Sequence, residues 1–326
     1  MNAKSVVTAP PSRRAERRER LGIVSFTNVA PLHWDLAPDR GAQPGSALVG
    51  SAPASREAAR TVDAEDRAEI EFVYGVPTEL NAALERGDID LTLVSSIEFV
   101  RHRDRYKALL DFSIATLGPV YSVMLFHRPE WGDLAGTRLA VTQQSSTSVE
   151  LLRQLLAASG QEAELVPTAG DLDDMLAEAD GALLIGDAAL RAAVAHLRPS
   201  GDGPAARGMS GRSVLEPELR VSDLGESWYR LTRLPFTFAV WASHDDNPPS
   251  AALIERFRSS RTAGLGRLGE VAAVEARRLG LPAKVVQRYL ENFRYYLEPP
   301  DMDGLNEFAS RSDPEFAVGQ LRFWDG

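Results

Sequence analysis

Short apolar runs that end in small polar residues, each followed by an amphipathic segment, recur along most of this chain, and that alternation limits its fold more than any other feature. Residues 21–26 end in Thr27 and Asn28, residues 89–94 in Ser95 and Ser96, residues 138–142 in a polar run from Gln143 to Ser148, and residues 182–185 in Gly186 and Asp187. The apolar runs have strand length, and the segments after them place apolar residues at helical spacing. Residues 77–86 are one such helix, with Leu80 and Leu84 on one face and Gly87 as its stop. Strands are also predicted at 69–74, 121–126, 164–167 and 236–241, and helices at 148–158, 172–179 and 188–197. Beyond residue 241 the pattern turns almost wholly helical, over 253–261, 271–279, 285–296 and 305–309.

Repeated strand–helix units imply an α/β architecture, mostly parallel sheet with helices on both faces. The chain has 326 residues, more than one ordinary core holds. Two series of units, joined near 111–118 and again near 233–238, point to two lobes with a ligand cleft between them, a periplasmic-binding-protein type II-like fold with a helical C-terminus. The expected division is an Arg-rich tail over 1–19, lobe one over 20–116 with a flexible insertion at about 37–66, lobe two over 117–236, and a mostly helical return to lobe one over 237–326. The tail has no apolar period and reads as disordered, while the insertion and a stretch at 199–213 are rich in Gly, Pro and Ser and read as surface loops.

Composition removes whole classes of chemistry. Without a cysteine there is no disulfide framework, no thiolate nucleophile and no cysteine-ligated metal. A formal net charge of -10 argues against nucleic acid, whose phosphates need a concentrated basic surface. No apolar run approaches the roughly 18 residues of a membrane span, and none follows the N-terminal arginines as a secretory signal requires. A cytoplasmic protein with a small-molecule partner is the expectation, and the sequence sets no oligomeric state.

Three motifs fail on context. Gly264, Gly266 and Gly269 spell a dinucleotide-binding pattern, but a polar run precedes them instead of a strand, so they read as a helix-breaking turn. His33, His102, His127, His196 and His244 lack a second histidine at metal-ligand spacing. Asp171, Asp173 and Asp174 lack the glycine and closing glutamate of a calcium loop, and suit a helix N-terminus. Neither metal nor cofactor is expected.

The polar strand-to-helix turns remain. Each sets hydroxyl or amide groups and free backbone N–H groups at a helix N-terminus, where a carboxylate or phosphate binds readily. Any one of them is explained by N-capping alone. Together, on the carboxyl side of strands from both lobes, they make Ser95, Ser96, Ser145, Ser146, Thr147, Ser148, Gly186 and Asp187 candidates for substrate binding. Asn28 can both donate and accept hydrogen bonds, and Ser122 lies near the proposed hinge.

The same residues carry a resemblance. Residues 24–32 (VSFTNVAPL), 94–99 (VSSIEF), 118–123 (GPVYSV), 184–190 (LIGDAAL) and 234–241 (LPFTFAVW) occur in this order, and together resemble the chorismate dehydratases of the futalosine route to menaquinone. The resemblance runs from about Leu21 to the C-terminus. It implies the two-lobed fold, no cofactor, and removal of water from chorismate to give 3-[(1-carboxyvinyl)oxy]benzoate. It also places Asn28 and Ser122 where that family's site residues lie. No Glu, Lys or His in these motifs is an obvious base; only Asp187 and His33 come close. The substrate's own enolpyruvyl carboxylate is therefore the expected proton acceptor. Two alternatives stay open: the related 1,4-dihydroxy-6-naphthoate synthase, whose chemistry calls for a histidine-type base, and a non-catalytic solute-binding or sensor protein.

Overall fold

Two β-sheets with helices packed against them make up the molecule, seen in a computed structural model that describes residues 18–36, 70–197 and 211–324. Residues 1–17 of the tail, the 37–66 insertion and residues 199–210 of the later loop lie outside the described residues. Two of the expected boundaries move. Glu19 is anchored, its carboxylate accepting the Ser250 N–H at 2.8 Å and the Ser250 hydroxyl at 2.6 Å, so the tail stops short of it. Gly211–Arg212 pairs as a short strand instead of belonging to the loop.

The chain opens with β1 (Arg20–Val24) and a 3₁₀ turn at Thr27–His33, then β2 (Glu71–Gly75), α1 (Pro77–Glu85), β3 (Leu91–Ser95), α2 (Ser96–Arg101) and a long β4 (Tyr106–Thr116). It then crosses to the second sheet, which it builds without interruption. That sheet takes β5 (Val123–His127), β6 (Arg138–Val141), β7 (Glu164–Pro167), β8 (Gly181–Ile185), β9 (Gly211–Arg212) and β10 (Arg220–Asp223). Its helices are α3 (Ser146–Ala158), α4 (Leu172–Glu178), α5 (Gly186–His196) and α6 (Leu224–Thr232). Crossing back, the chain adds β11 (Phe236–His244), α7 (Ala251–Gly266), α8 (Leu268–Leu279), α9 (Ala283–Glu291), β12 (Phe293–Arg294), α10 (Pro299–Ser312) and β13 (Phe323–Trp324).

The first sheet runs β12-β4-β11-β3-β1-β2, with β13 also on β4; the second runs β7-β6-β8-β5-β10-β9. The two-lobed α/β architecture is the expected one, but the sheets are mixed, not mostly parallel. Strands joined by βα units are parallel neighbours: β1 with β2 and β3, and β6 with β7 and β8. In contrast β11 runs antiparallel between β3 and β4, and β5 runs antiparallel to β8 and β10. Both are the first strands after a crossing between lobes, where no βα crossover dictates direction.

Burial explains the central strands. All five residues of β3 are buried, and Trp241 on β11 packs edge-on to Phe257 of α7 at 4.4 Å between ring centres, with Phe112 of β4 at 4.5 Å from the same ring. The glycine triplet does hold the expected helix break, but not at its first glycine: α7 runs through Gly264 to Gly266, and the break comes at Arg267. A Cβ on Gly264 would lie 2.0 Å from the Pro31 carbonyl oxygen. Its bare backbone lets α7 rest directly on the 3₁₀ turn that carries Asn28. Among the described residues, no helix is long and apolar enough to cross a membrane.

Candidate active site

The carboxyl ends of β1, β3 and β8 meet the start of β5 and the N-termini of α3 and α5 around one cleft, open to solvent and lined from both sheets. Its polar wall consists of Asn28, Ser95, Ser122, Ser145, Ser148 and Gly186; Phe26, Leu93, Ile185 and Phe238 are among its apolar residues. Among the described residues, none that lines it has an ionisable side chain.

Asn28 sits on the 3₁₀ turn with its Oδ1 buried and accepting no hydrogen bond. Such an orphaned acceptor costs about 1–3 kcal/mol, a cost that a ligand donor would offset. Ser122, 2% exposed, accepts the Tyr289 hydroxyl at 3.0 Å, while its own proton finds only the Val120 carbonyl at 3.4 Å. Ser145 caps α3 by accepting the Ser148 N–H at 3.2 Å, and the two side-chain oxygens lie 3.1 Å apart. Ser95 accepts Nδ2 of Asn81 at 3.4 Å. Gly186 takes a positive φ of 60°, and a Cβ there would meet the Phe26 ring at 2.9 Å, so only glycine lets β8 turn into α5 against that ring.

Four of the expected binding residues do not line the cleft. Ser96 is wholly buried and donates to the Thr237 carbonyl at 2.5 Å, tying α2 to β11. Thr147 accepts the Ile97 N–H at 3.0 Å, bridging the lobes from α3 to α2. Ser146 sits half-buried in the first turn of α3. Asp187 accepts the Thr27 N–H at 3.0 Å and pairs with Arg278 at 2.7 Å. His33, the other residue considered as a base, is buried on the 3₁₀ turn and outside the lining.

Behind the cleft, Arg278 of α8 joins the two lobes. It pairs with Asp187 of α5 at 2.7 Å and Glu275 at 2.7 Å, and donates to Thr27 Oγ1 at 2.6 Å. Burial works against the Arg278 cation, but the two carboxylates outweigh it and raise its pKa. Burial likewise pushes the Glu275 carboxyl up, with the Arg278 charge opposing.

The segment that crosses to lobe two is clamped. Asp223, wholly buried, caps α6 by accepting the Glu226 N–H at 3.0 Å, and also takes the Val120 N–H at 3.0 Å and the Tyr121 N–H at 2.7 Å. Burial raises its carboxyl to about 7 against the pull of those donors. The clamp holds Tyr121 at a φ of 64°, in the left-handed region, which sets the bend between Val120 and Ser122. From the lobe-one side, the Asn292 amide donates to the Pro119 carbonyl.

Sequence reasoning missed Arg278, Asn81, Asp223 and Tyr289. A tyrosine on an otherwise apolar helix face was the available signal for the last, since a buried phenol needs a partner for its hydroxyl.

Known proteins resemble this one as follows. A family model described as menaquinone biosynthesis matches residues 19–313. A chorismate dehydratase of Thermus thermophilus is 45% identical over 297 residues, covering 91% of this chain and 96% of that protein. Among solved structures, a protein of Archaeoglobus fulgidus superposes with a TM-score of 0.62 at 16% identity, covering 90% of this chain and 96% of that one. The periplasmic aliphatic sulphonate binding protein SsuA of Escherichia coli superposes with a TM-score of 0.56 at 16% identity, covering 94% and 92%. At such identities the two structures speak for the fold alone, and SsuA bears out its periplasmic-binding-protein type.

Proposed function

The chain belongs to the chorismate dehydratase family of menaquinone biosynthesis, and on that premise we propose that its cleft holds chorismate and removes water from it, as a cytoplasmic hydro-lyase. The observation that carries the mechanism is the cleft wall, whose lining among the described residues is amide, hydroxyl, glycine and apolar groups without one ionisable side chain. A wall of that kind binds and orients, but it does not take a proton. The acceptor is then the substrate's enolpyruvyl carboxylate.

The proton on the ring carbon that bears the enolpyruvyl ether moves to that carboxylate. The C–H electron pair closes the third ring double bond, the neighbouring C–OH bond breaks, and the departing hydroxide takes up the proton held by the carboxyl group and leaves as water. The product is aromatic 3-[(1-carboxyvinyl)oxy]benzoate. Aromatisation makes the step downhill, and a base held within the same molecule can supply roughly 7–11 kcal/mol through proximity. Asn28 suits the turning-over end of the substrate: its Oδ1 accepts a substrate hydroxyl and its amide donates to a carboxylate oxygen. Ser122 donates its hydroxyl beside it. Ser145 and Ser148, at the N-terminus of α3, suit the ring carboxylate, and Ser95 lines the same cleft.

Incubating the purified protein with chorismate and following ultraviolet absorbance and mass tests the reading. Loss of one water per chorismate is expected. Chorismate bound but recovered unchanged after overnight incubation would make this a binding protein instead.

A further inference from the structure

We propose that Tyr289 is a positioning residue that turns the Ser122 hydroxyl proton into the cleft, an inference that rests on reading Ser122 as a catalytic residue. The two side chains come from different lobes: Ser122 immediately precedes β5 in lobe two, and Tyr289 is on α9, which returns to lobe one. The Tyr289 hydroxyl nevertheless lies 3.0 Å from Ser122 Oγ.

A serine hydroxyl has one proton, two lone pairs and a free rotor, so its direction is set by what surrounds it. Phenol is the more acidic partner and donates. Burial holds the Tyr289 hydroxyl well above the ordinary phenol range, and the nearby Asp187 carboxylate adds to this, so the donor stays protonated. With one Ser122 lone pair filled by Tyr289, the serine proton must point elsewhere. Among the described residues it has only the Val120 carbonyl at 3.4 Å, a long contact, and Ser122 borders the cleft. A donated bond also polarises the serine and strengthens it as a donor.

The tyrosine is itself fixed. It is 2% exposed, and its ring stands edge-on to Phe293 at 5.0 Å and 87°. Its hydroxyl therefore has no freedom to follow Ser122 if the serine turns away. Removing that hydroxyl alone, as Phe does, leaves the ring packing in place and frees the serine rotor.

The test is a double-mutant cycle with chorismate as substrate, measuring kcat, KM and Tm for wild type, Y289F, S122A and the pair. Y289F is expected to lower kcat by about 10-fold or more with KM within about twofold, the pattern of an interaction made chiefly in the transition state. Its Tm should fall by only a few degrees, and kcat is read below the Tm of every variant. In the S122A background, Y289F should change kcat by less than about twofold, because there is no serine proton left to direct. Two results would overturn the role of Tyr289 while leaving Ser122 in place: a slow S122A beside an unimpaired Y289F, or a Y289F loss that persists in full in S122A. An S122A enzyme with wild-type kcat would instead remove the catalytic reading of Ser122, and the positioning role with it.

Discussion

The cleft wall and the interlobe ion cluster behind it are built from neighbouring residues with opposite chemistry. Asn28 lines the cleft while Thr27 joins the cluster, and Gly186 lines it while Asp187 pairs with Arg278. The same division recurs without charge at Ser95 and Ser96, and at Ser148 and Thr147, one facing the cleft and its neighbour facing packed protein. Charge fastens the lobes; neutral dipoles line the cleft. For a substrate whose own carboxylate is to take a proton, this division matters. A cation beside that carboxylate would lower its pKa and blunt it as a base, and a protein carboxylate there would repel a dianion.

The sharpest way to break this contrast is to remove the cation. Arg278→Met leaves the Asp187 and Glu275 carboxylates partly buried without their partner, and should lower unfolding free energy by about 3–5 kcal/mol in urea titration. If R278M unfolds like wild type, the cluster does not hold the lobes.

Next comes the charge placed on the other side. Asn28→Asp caps as well as asparagine but adds a negative charge to the cleft and removes both amide donors. We expect kcat/KM to fall by at least ~100-fold, about 2.7 kcal/mol of transition-state stabilisation, with Tm within a few degrees. A folded N28D enzyme of normal activity would return Asn28 to a structural role.

Asp223 offers an effect on stability alone, through pH. Its folded-state carboxyl lies near 7 and its ordinary value is 3.8, so between these the folded state holds the proton more tightly than the unfolded one. Its contribution is fully present below the lower value and is lost as pH rises through about 7, at up to ~1.4 kcal/mol per pH unit. Unfolding measured between pH 5 and 8 should show this decline in wild type and a flatter profile in Asp223→Asn; parallel profiles would mean that another group titrates. The smallest effect is expected at the two residues that could rival the substrate as base. Isosteric changes at Asp187 and His33, made separately, should each leave kcat within about tenfold, and a loss of three orders of magnitude in either would give the proton to the protein.

Strand–helix alternation made the lobes and the cleft-side turns legible before any coordinates, because both depend on local periodicity. Asn28, Ser95, Ser122, Ser145, Ser148 and Gly186 do share one cleft. Ser96, Thr147 and Asp187 belong to the same polar strand-to-helix turns but sit beside the cleft residues, and successive positions entering a helix point about 100° apart. Adjacent polar residues cannot all face one ligand. Strand β4 escaped notice because Lys107 and Asp111 interrupt its apolar run, and both find partners, Asp245 and Arg258, that are distant in sequence. Tyr289 and Arg278 stayed hidden for the same reason: what they do depends on lobe contacts between residues 91 or more positions apart.

The place of β11 has a consequence for how the chain acquires its shape. The second sheet is made from one continuous stretch, so it can close as soon as that stretch leaves the ribosome. The first sheet cannot, because β11 fills the gap between β3 and β4 and is synthesised only after all of lobe two. Until then β3 and β4 each present a bare apolar edge, the kind of surface on which nascent chains stick to one another. Long-range strand pairing is also slow to form. Lobe one is thus the part of this molecule that a chaperone would have to shield, and the part at which a truncated chain would aggregate.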